Sequence, residues 1–489
     1  MRILIFHGYL LRGTGSNIYN ASLARALVGL GHEVHLLCQD RHAEELDFVD
    51  GERCTVYRPD IGRVLPVYVA DRYDDFEAKP FPELTDEELE RYLDANVAAV
   101  AEVAERVRPD VALANHLVMG PAILARGLAG AAPYAVKVHG SALEYTVRPH
   151  PERFLPYARE GVDGAAGVLV GSRHSAESLW SVVGRDLAAK TRLGPPGVDV
   201  GAFRPSPDAA ARFRGLTKRL EGATAAAWGG EAGAAAALRS LDPERDRIVS
   251  YVGKLIVSKG VDLLVAAWPL VAARVPEARL CLVGFGTYRE ALERLAAALE
   301  RGDLAAVREI AARGRELEGG PPGELRYLAA FLESVDDGYL EAASAAAGSI
   351  VFTGRLEHDD LPDLLPACEA QVVPSTFPES FGMVAAEAAS CGVLPLSAAH
   401  SGLAEVTAAL AAAVEPEVRP LLSFTPGPGA VREIADKLVA WLELDPARRG
   451  RAGAALAETA RLRYSWESVA EGVIAAARGR LDELPEPGR

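Results

Sequence analysis

The stretch RILIFHGYLLRGTGSNIYNASLARALVGLGHEVHLLC, residues 2–38, contains a complete strand–helix–strand pattern. Its opening run, RILIF, is typical of a short buried strand, and RGTGSN is a glycine-containing loop. Leu23, Leu27 and Leu30 then follow at helical spacing on one predicted face. Gly31 is the predicted end of that helix, and VHLLC is the next strand. A strand, a crossover helix and a second strand predict a βαβ unit in a parallel sheet.

Short apolar runs that end in polar residues or glycine recur along the whole chain. The predicted strands are DVALANH (110–116), YAVKVHG (134–140), AAGVLVGS (165–172), RIVSYVGKL (247–255), ARLCLVGFG (278–286), SIVFTGRL (349–356), AQVVPST (370–376) and VLPLSA (393–398). Two doubly wound α/β halves in tandem are therefore predicted, with sites at the carboxyl ends of the strands. Residues 206–246 predict a linker with a partly helical insertion, and 288–347 predict a second, helical insertion. Ser465 is a predicted N-cap of an amphipathic C-terminal helix.

The charge balance narrows the classes of partner. With 52 basic and 68 acidic residues, the net charge of -16 disfavours nucleic acid as the main partner. Contact with an anionic membrane surface is disfavoured too, although a local basic patch for peripheral contact remains open. The chain contains no apolar run long enough to cross a bilayer, and its N-terminus predicts a strand and not a signal peptide. The five scattered cysteines predict buried free thiols. We expect a cytoplasmic protein.

Two lysines follow a predicted strand in VGKLIVSKG. Lys254 and Lys259 at such an edge suit a diphosphate, and Gly260 permits close approach of the backbone. The alternative is a pair of solvated surface lysines.

Two glutamates flank the start of a predicted helix in PESFGMVAAEAASCG, residues 378–392. Glu379 lies in the loop before the helix and Glu387 about two turns into it. A helix N-terminus favours anionic ligand oxygens, and a carboxylate accepts two hydrogen bonds from a vicinal diol such as a ribose. The alternatives are a dipole-complementing acid for Glu379 and an exposed helical glutamate for Glu387.

Two histidines stand at strand ends. His139 is followed by Gly140, and either a structural or a functional role fits it; His116 occupies an equivalent position and is the weaker candidate. Gly13 and Gly15 form only part of a dinucleotide fingerprint, because Ile18 stands where its third glycine belongs. The chain has no Walker A sequence and no D-x-D, which argues against a diphosphate anchored through a metal.

Taken together, these segments resemble the retaining glycosyltransferases of family 4, over most of the chain. The matching stretches are GTGSNIYNASLARALVGLGHEV, VHG, GVDVGAFRP, VGKLIVSKG, LVGFG, FTGRL, PESFGMVAAEAASCG and RYSWESVA. The resemblance implies the GT-B fold, in which two Rossmann-like domains face each other across a cleft. It implies an acceptor-side domain at 1–205, with residues 465–489 crossing back onto it, and a nucleotide-sugar domain at 247–464.

The same resemblance implies a metal-independent hexosyltransferase that needs no cofactor beyond its nucleotide-diphosphate sugar donor. Its implied roles are diphosphate binding for Lys254 and Lys259, ribose binding for Glu387, and binding of the transferred sugar's hydroxyls for Glu379. Backbone amides of Phe381, Gly382 and Met383 would bind the sugar and phosphates, and Leu356 and His358 would contact the base. His139 would lie beside the sugar. The loop from Gly13 through Gly15 to Ser16 would close on the diphosphate.

This sequence departs from the family pattern in two places. Lys254 stands where arginine is commonest, which keeps the charge and loses bidentate geometry. Pro196 stands where asparagine is usual.

The acceptor, the donor sugar and the base stay open at this stage. A small molecule, a glycan and a lipid-linked acceptor all fit the polar predicted loops at 66–84 and 144–154. Two other readings stay open as well. One is a GT-B phosphorylase or epimerase, and the other is an inactive nucleotide-sugar-binding scaffold.

Overall fold

The structure is a computed structural model that describes residues 1–13, 15–68, 76–222 and 233–488. These residues form two compact units, the first comprising residues 1–197 and 464–489 and the second residues 198–463. The division after Gly197 lies before the boundary that we placed after residue 205. One reason is that Phe203 is anchored in the second unit, where its carbonyl accepts a 2.6 Å hydrogen bond from Ser390 Oγ.

The strands follow the apolar runs of the sequence and add shorter ones. They are β1 (Arg2–Phe6), β2 (Glu33–Leu37), β3 (Cys54–Tyr57), β4 (Val64–Val67), β5 (Glu77–Pro80), β6 (Val111–Asn115), β7 (Tyr134–Val138), β8 (Gly167–Val170), β9 (Thr191–Leu193), β10 (Arg247–Val252), β11 (Ala278–Val283), β12 (Ile350–Gly354), β13 (Ala370–Val373), β14 (Leu394–Ala398) and β15 (Ser423–Phe424). The sequence did not predict β3, β4, β5, β9 or β15, because they are short and carry polar residues or proline.

The α-helices lie between these strands and after the last of them. They are α1 (Gly15–Gly29), α2 (Asp86–Val107), α3 (Gly120–Leu128), α4 (Pro151–Asp163), α5 (Arg173–Val182), α6 (Ala209–Gly222), α7 (Ala234–Arg239), α8 (Val261–Arg274), α9 (Arg289–Glu300), α10 (Leu304–Arg313), α11 (Arg326–Leu332), α12 (Asp337–Ala345), α13 (Leu361–Leu364), α14 (Met383–Ser390), α15 (Ser401–Ala411), α16 (Ala430–Leu442), α17 (Pro446–Tyr464) and α18 (Trp466–Ala477).

In the described part of the first unit, seven strands form one parallel sheet in the order β3-β2-β1-β6-β7-β8-β9. Buried apolar clusters lie on both of its faces. The C-terminal helix α18 belongs to this unit, and its Trp466 ring meets Tyr19 of α1 at a centroid distance of 5.4 Å. Ser465 caps α18 as predicted, accepting a hydrogen bond from Ser468 N–H. Leu30, which we placed on one helix face with Leu23 and Leu27, lies just beyond the end of α1 and is 38% exposed, whereas Leu23 and Leu27 are buried.

In the described part of the second unit, a six-stranded parallel sheet has the order β12-β11-β10-β13-β14-β15. Strand β10 therefore lies between β11 and β13, where the strand order reverses. In open α/β sheets, ligands bind outside the carboxyl ends of strands at such a switch point. Helix α8, which follows β10, is buried along most of its length, and its Trp268 is fully buried.

The two predicted insertions are packed parts of the second unit. Helices α6 and α7 contact each other, and they pack on α13 and β12 respectively. Residues 223–232, in the middle of the predicted 206–246 linker, lie outside the described residues. Within 288–347, α9 and α12 both pack on α8. Burial of their apolar faces makes these two helices part of the unit's core.

All five cysteines are free and buried, as predicted. A helix long and apolar enough to cross a membrane is absent from the described residues.

Candidate active site

The carboxyl ends of β10 and β13 bring the two sequence motifs of the second unit together. The loop after β10 carries Lys254 and Lys259, and the loop after β13 carries Glu379. Because β10 and β13 are paired in register, their following loops lie side by side. Gly260, at φ 64°, marks the closest approach, since a Cβ there would lie 2.1 Å from the carbonyl oxygen of Pro374. Any side chain at position 260 would push the two loops apart.

Lys259 and Glu379 form an ion pair across these loops, between Lys259 Nζ and Glu379 Oε1. The same oxygen accepts a 2.6 Å hydrogen bond from Ser375 Oγ. Burial raises the pKa of Glu379, but the charge of Lys259 and the hydrogen bonds from Lys259 and Ser375 outweigh it, so the pKa lies below its usual value. Glu379 is therefore a fixed carboxylate, and among the described residues its side-chain partners all bond to Oε1. Its Oε2 is therefore available to accept a hydrogen bond from a ligand hydroxyl.

His400 and Ser401 hold the backbone of Glu379 from the next strand end. Glu379 N–H donates to Ser401 Oγ at 2.8 Å, and Ser401 Oγ lies 3.0 Å from His400 Nδ1. His400 Nε2 donates to the Ser375 carbonyl at 2.7 Å. Ser401 adopts φ 51°, which is unusual for a residue with a side chain. Residues in such strained conformations occur preferentially at functional sites. Sequence reasoning missed Ser375, His400 and Ser401; their position directly after apolar strands was the available signal.

Lys254 differs from Lys259 in being exposed and without an ion pair among the described residues. Its backbone is nevertheless fixed, because the buried Tyr251 hydroxyl donates a 2.7 Å hydrogen bond to the Lys254 carbonyl. An anchored backbone with a free ammonium group suits capture of a mobile anion.

Helix α14 begins at Met383 directly after Gly382, as the sequence predicted, and Phe381 is buried beside it. The first N–H groups of the helix, including that of Met383, have no acceptor within the helix. A Cβ at Gly382 would lie 2.7 Å from Leu403 Cδ2, so a side chain there would require the Leu403 side chain to move. An anion next to this helix end gains both hydrogen bonds and the favourable end of the helix dipole.

Glu387 lies in the second turn of α14 and is buried, with 3% of its surface exposed. It is not the exposed helical glutamate of our alternative reading. His358 Nε2 lies 2.8 Å from Glu387 Oε1. Burial lowers the pKa of His358, but the charge and hydrogen bond of Glu387 outweigh that effect, so its pKa is above its ordinary value. The His358 ring also packs against Phe203 at 5.1 Å.

The edge beyond β12 carries the other residues that we assigned to the base. Leu356 is buried, two residues after the end of β12. Next to it, the Arg355 guanidinium lies 5.2 Å from the ring centroid of Phe285, which is 44% exposed. An exposed aromatic ring and a guanidinium plane are both able to stack on a planar ligand.

In the first unit, the ends of the adjacent strands β1, β6 and β7 bring three histidines together. The His116 ring centroid lies 6.0 Å from that of His7 and 4.8 Å from that of His139. Both ring nitrogens of His116 are buried without a hydrogen-bond partner. Burial lowers the pKa of His7 to about 4 and the pKa values of His116 and His139 well below the ordinary value. All three imidazoles are therefore neutral near pH 7.

A directional chain of hydrogen bonds connects His139 to helix α1. His139 Nε2 lies 2.8 Å from Asn115 Oδ1, and Asn115 Nδ2 donates to Asn20 Oδ1 at 2.7 Å. Asn20 Nδ2 lies 3.0 Å from His7 Nδ1, and His7 Nε2 lies 3.0 Å from Asn17 Oδ1. Because each amide nitrogen must donate and each amide oxygen must accept, both imidazoles carry their proton on Nε2. The sequence drew attention to His139 and not to His7 or the three asparagines.

The glycine loop of the first unit leads into α1. Gly13 is exposed with φ 96°, and Thr14 lies outside the described residues. Gly15 and Ser16 form the first residues of α1. The first amides of a helix have no acceptor within it, so this end of α1 also suits an anion.

Two family models cover most of the chain. The Glycosyl transferase 4-like domain matches residues 14–197, and Glycosyl transferases group 1 matches residues 238–304 and 340–449. The chain belongs to glycosyltransferase family 4. Within this family 4 protein, the group 1 model omits residues 305–339, a shorter segment than the insertion that we predicted at 288–347.

The family 4 chain is also similar to individual proteins. It is 26% identical over 398 residues to the D-inositol 3-phosphate glycosyltransferase of Pseudarthrobacter chlorophenolicus, covering 80% of this chain and 75% of that protein. The sucrose-phosphate synthase of Thermosynechococcus elongatus superposes with a TM-score of 0.62 at 20% identity, covering 99% of each chain. Anabaena HepE in complex with UDP-glucose superposes with a TM-score of 0.58 at 18% identity, covering 99% of this chain and 100% of that one. Both likenesses support the GT-B fold.

Proposed function

We propose that this family 4 protein is a retaining, metal-independent hexosyltransferase that moves a sugar from a nucleotide-diphosphate sugar to an acceptor hydroxyl. The observation that carries the proposal is the Lys259–Glu379 ion pair, made where two adjacent strands end and next to the N-terminus of α14. In this proposal Lys259 is the cation that binds the diphosphate, and Glu379 is the carboxylate that binds the sugar. The chain's relation to a glycosyltransferase and the fold of a protein that binds UDP-glucose support the same reading.

The donor lies along α14 in this proposal. Lys254, Lys259 and the first amides of α14 bind the diphosphate, because cations and helix N-termini stabilise phosphate oxygens. Glu387, near the other end of the helix, accepts hydrogen bonds from the ribose hydroxyls. Leu356 and His358 border the base, and the His358–Glu387 contact links these two parts of the site.

Glu379 orients the transferred sugar through Oε2, the oxygen that Lys259 and Ser375 leave available. Glu379 and Glu387 are held by separate partners, Lys259 and His358, which argues against a shared acid–base pair. The acceptor oxygen then bonds to the anomeric carbon on the face from which the diphosphate leaves. The carbon–oxygen bond to the diphosphate breaks, and the diphosphate takes the acceptor's proton. The configuration at the anomeric carbon is thereby retained.

Residues of the first unit complete the proposal. Neutral His139, fixed by its hydrogen bond to Asn115, lies beside the sugar. The loop of Gly13, Gly15 and Ser16 supplies amides to the diphosphate. We keep a small molecule, a glycan and a lipid-linked alcohol as acceptor classes, with peripheral membrane contact for the last, and we propose a cytoplasmic location and no nucleic-acid partner.

A donor screen tests this function. Purified protein is incubated with each UDP-, GDP- and ADP-sugar and a mixed pool of polyols, sugar phosphates and glycans, and release of the nucleoside diphosphate is measured. We expect release with one donor family, in buffer containing EDTA, and an NMR coupling constant in the product that reports the donor's anomeric configuration. Glu379→Gln is the control for contaminating hydrolases. An inverted product contradicts the retaining mechanism, and release from no donor contradicts the function.

A further inference from the structure

The segment at 305–339, which lies outside the group 1 family match, supplies one side chain to the loop that carries the two lysines. This side chain is Glu318, at the end of a short 3-10 turn, Arg315–Glu318. Glu318 Oε2 accepts a 2.7 Å hydrogen bond from the backbone N–H of Val257. The Glu318 side chain is only 12% exposed, so this contact is shielded from water.

Val257 needs such a partner because of its position. It begins the 3-10 turn Val257–Lys259, and the first amide of a turn has no acceptor within that turn. The preceding residue is Ile256, whose side chain offers no acceptor. An unpaired amide at this buried residue is unfavourable. Glu318 therefore acts as the missing cap of the turn whose last residue is Lys259.

Glu318 is held in place by a closed backbone loop. Arg315 N–H donates to the Gly323 carbonyl at 3.1 Å, and Gly320 N–H donates to the Arg315 carbonyl at 3.0 Å. Gly314, at φ 47°, permits this closure, since a Cβ there would lie 1.9 Å from the Gly323 carbonyl oxygen. Because the loop backbone is already fixed, forming the hydrogen bond costs only the rotamer entropy of the Glu318 side chain.

Other contacts on the lysine loop come from parts of the chain inside the family match. Leu255 N–H donates to the Phe285 carbonyl at 2.8 Å, and Thr376 N–H donates to the Ser258 carbonyl at 2.9 Å. These two contacts are between backbone groups, and the Tyr251 and Thr376 hydroxyls add side-chain contacts to the Lys254 and Ser258 carbonyls. The contact from Glu318 differs because it comes from the segment that the group 1 match omits.

We propose that Glu318 is a positioning residue, which orders the Val257–Lys259 turn and so places Lys259 for the donor diphosphate. This inference rests on the proposed function for the role of Lys259. Glu318 does not touch the donor; its effect passes through the Val257 amide. Loss of the contact leaves the chemistry of bound donor intact and reduces the fraction of protein in which the turn is correctly placed.

Three variants test the role. Glu318→Ala removes the acceptor, and Glu318→Gln keeps a carbonyl oxygen that accepts the same N–H. Glu316→Ala is the matched control, because Glu316 lies on the same turn, is half exposed and pairs with Arg313 at 2.8 Å. For Glu318→Ala we expect the donor KM to rise about tenfold with kcat changed less than about twofold, as loss of one charged hydrogen bond predicts. Glu318→Gln is expected to restore most of the affinity.

Hydrogen exchange of the unliganded protein provides a second measurement that does not need a donor. Peptides covering residues 253–262 are expected to exchange faster in Glu318→Ala than in wild type or Glu316→Ala, while α16 peptides stay unchanged. An unchanged donor KM, or equal exchange in Glu318→Ala and Glu316→Ala, overturns the inference. If wild-type protein uses no donor, the proposed function is wrong, and the exchange measurement alone still decides whether Glu318 orders the turn.

Discussion

His358 Nε2 lies 2.8 Å from Glu387 Oε1, so the carboxylate that we assign to the ribose is already paired with the residue that we assign to the base. The two residues are 29 positions apart in sequence: Glu387 lies in α14, and His358 begins the 3-10 turn His358–Asp360 after β12. A buried carboxylate without a partner is unfavourable, and His358 provides that partner in the protein without donor. The ribose hydroxyls then bind a carboxylate that is already oriented.

The His358–Glu387 pair predicts a pH-dependent stability of the second unit. Because the folded-state pKa of His358 is raised, its contribution is fully present below about pH 6.5 and is lost as the pH rises through the raised pKa. Hydrogen exchange of second-unit peptides in denaturant, from about pH 6 to about pH 9, is expected to show this loss. His358→Gln should remove it. His150→Gln, at an exposed histidine of the first unit, is the control and should leave the profile unchanged.

Lys259 and Lys254 should respond differently to the same substitution. Lys259→Met leaves Glu379 without its cation, so we expect the free energy of unfolding to fall by about 1–2 kcal/mol, less than for a fully buried pair. Lys254→Met should change stability by less than about 0.5 kcal/mol, since Lys254 is exposed and unpaired among the described residues. Both should reduce kcat/KM for the donor by about 100-fold or more. Urea unfolding and initial rates provide the two measurements.

A double variant tests whether Lys259 and Glu379 act as a pair. Lys259→Met with Glu379→Gln is expected to recover part of the stability lost in Lys259→Met, because the unpaired carboxylate is gone. Transfer should stay absent. Additive stability losses would contradict the pairing, and Lys218→Met, at an exposed helical lysine, controls for loss of charge.

Ser401 combines a strained backbone with a hydrogen bond to Glu379, and two substitutions separate these effects. Ser401→Ala keeps the φ of 51° and removes the oxygen that accepts from Glu379 N–H. Ser401→Gly removes the oxygen and relieves the strain. We expect Ser401→Ala to be less stable than wild type by about 1–2 kcal/mol and Ser401→Gly by less. Both should lower kcat/KM for the donor. Thermal unfolding measures the stabilities, and initial rates measure kcat/KM. Equal stability of the two variants would contradict backbone strain at Ser401.

The buried histidines of the first unit predict the opposite pH dependence. Their folded-state pKa values are lowered by burial, to about 4 for His7, so their contribution is present above about pH 6.5 and lost as the pH falls toward the folded values. First-unit peptides should lose exchange protection in denaturant on acidification. His116→Phe removes about one proton from the difference in proton binding between the unfolded and folded states. The slope of the free energy of unfolding against pH should therefore fall by roughly 1.4 kcal/mol per pH unit. An unchanged slope in this variant would show that His116 titrates normally.

Local sequence patterns predicted most strands of both sheets and the start of α14. Apolar runs such as RILIF and RIVSYV form buried parallel strands, and Ser465 marks a helix start because its side chain accepts a hydrogen bond from the nearby Ser468 N–H. The edge strands β3, β9 and β15 were not predicted. They are stabilised by hydrogen bonds to a neighbouring strand and do not contain a long apolar run. Leu30 does not share the face of Leu23 and Leu27, because α1 ends at Gly29 and helix periodicity does not continue past that residue.

The sequence by itself determined the fold family, the two lysines, the two glutamates and the helix between them, because each depends on residues close together in the chain. Only the tertiary structure decided which of these residues meet. Lys259 reaches Glu379 because β10 pairs with β13, and His7, His116 and His139 meet because β6 lies between β1 and β7. Glu387 bonds to His358, Glu379 to Ser401 and Val257 to Glu318, and these partners are too far apart in sequence for a local pattern to predict them. Buried charges and unpaired amides require partners, and strand order selects which residues become those partners.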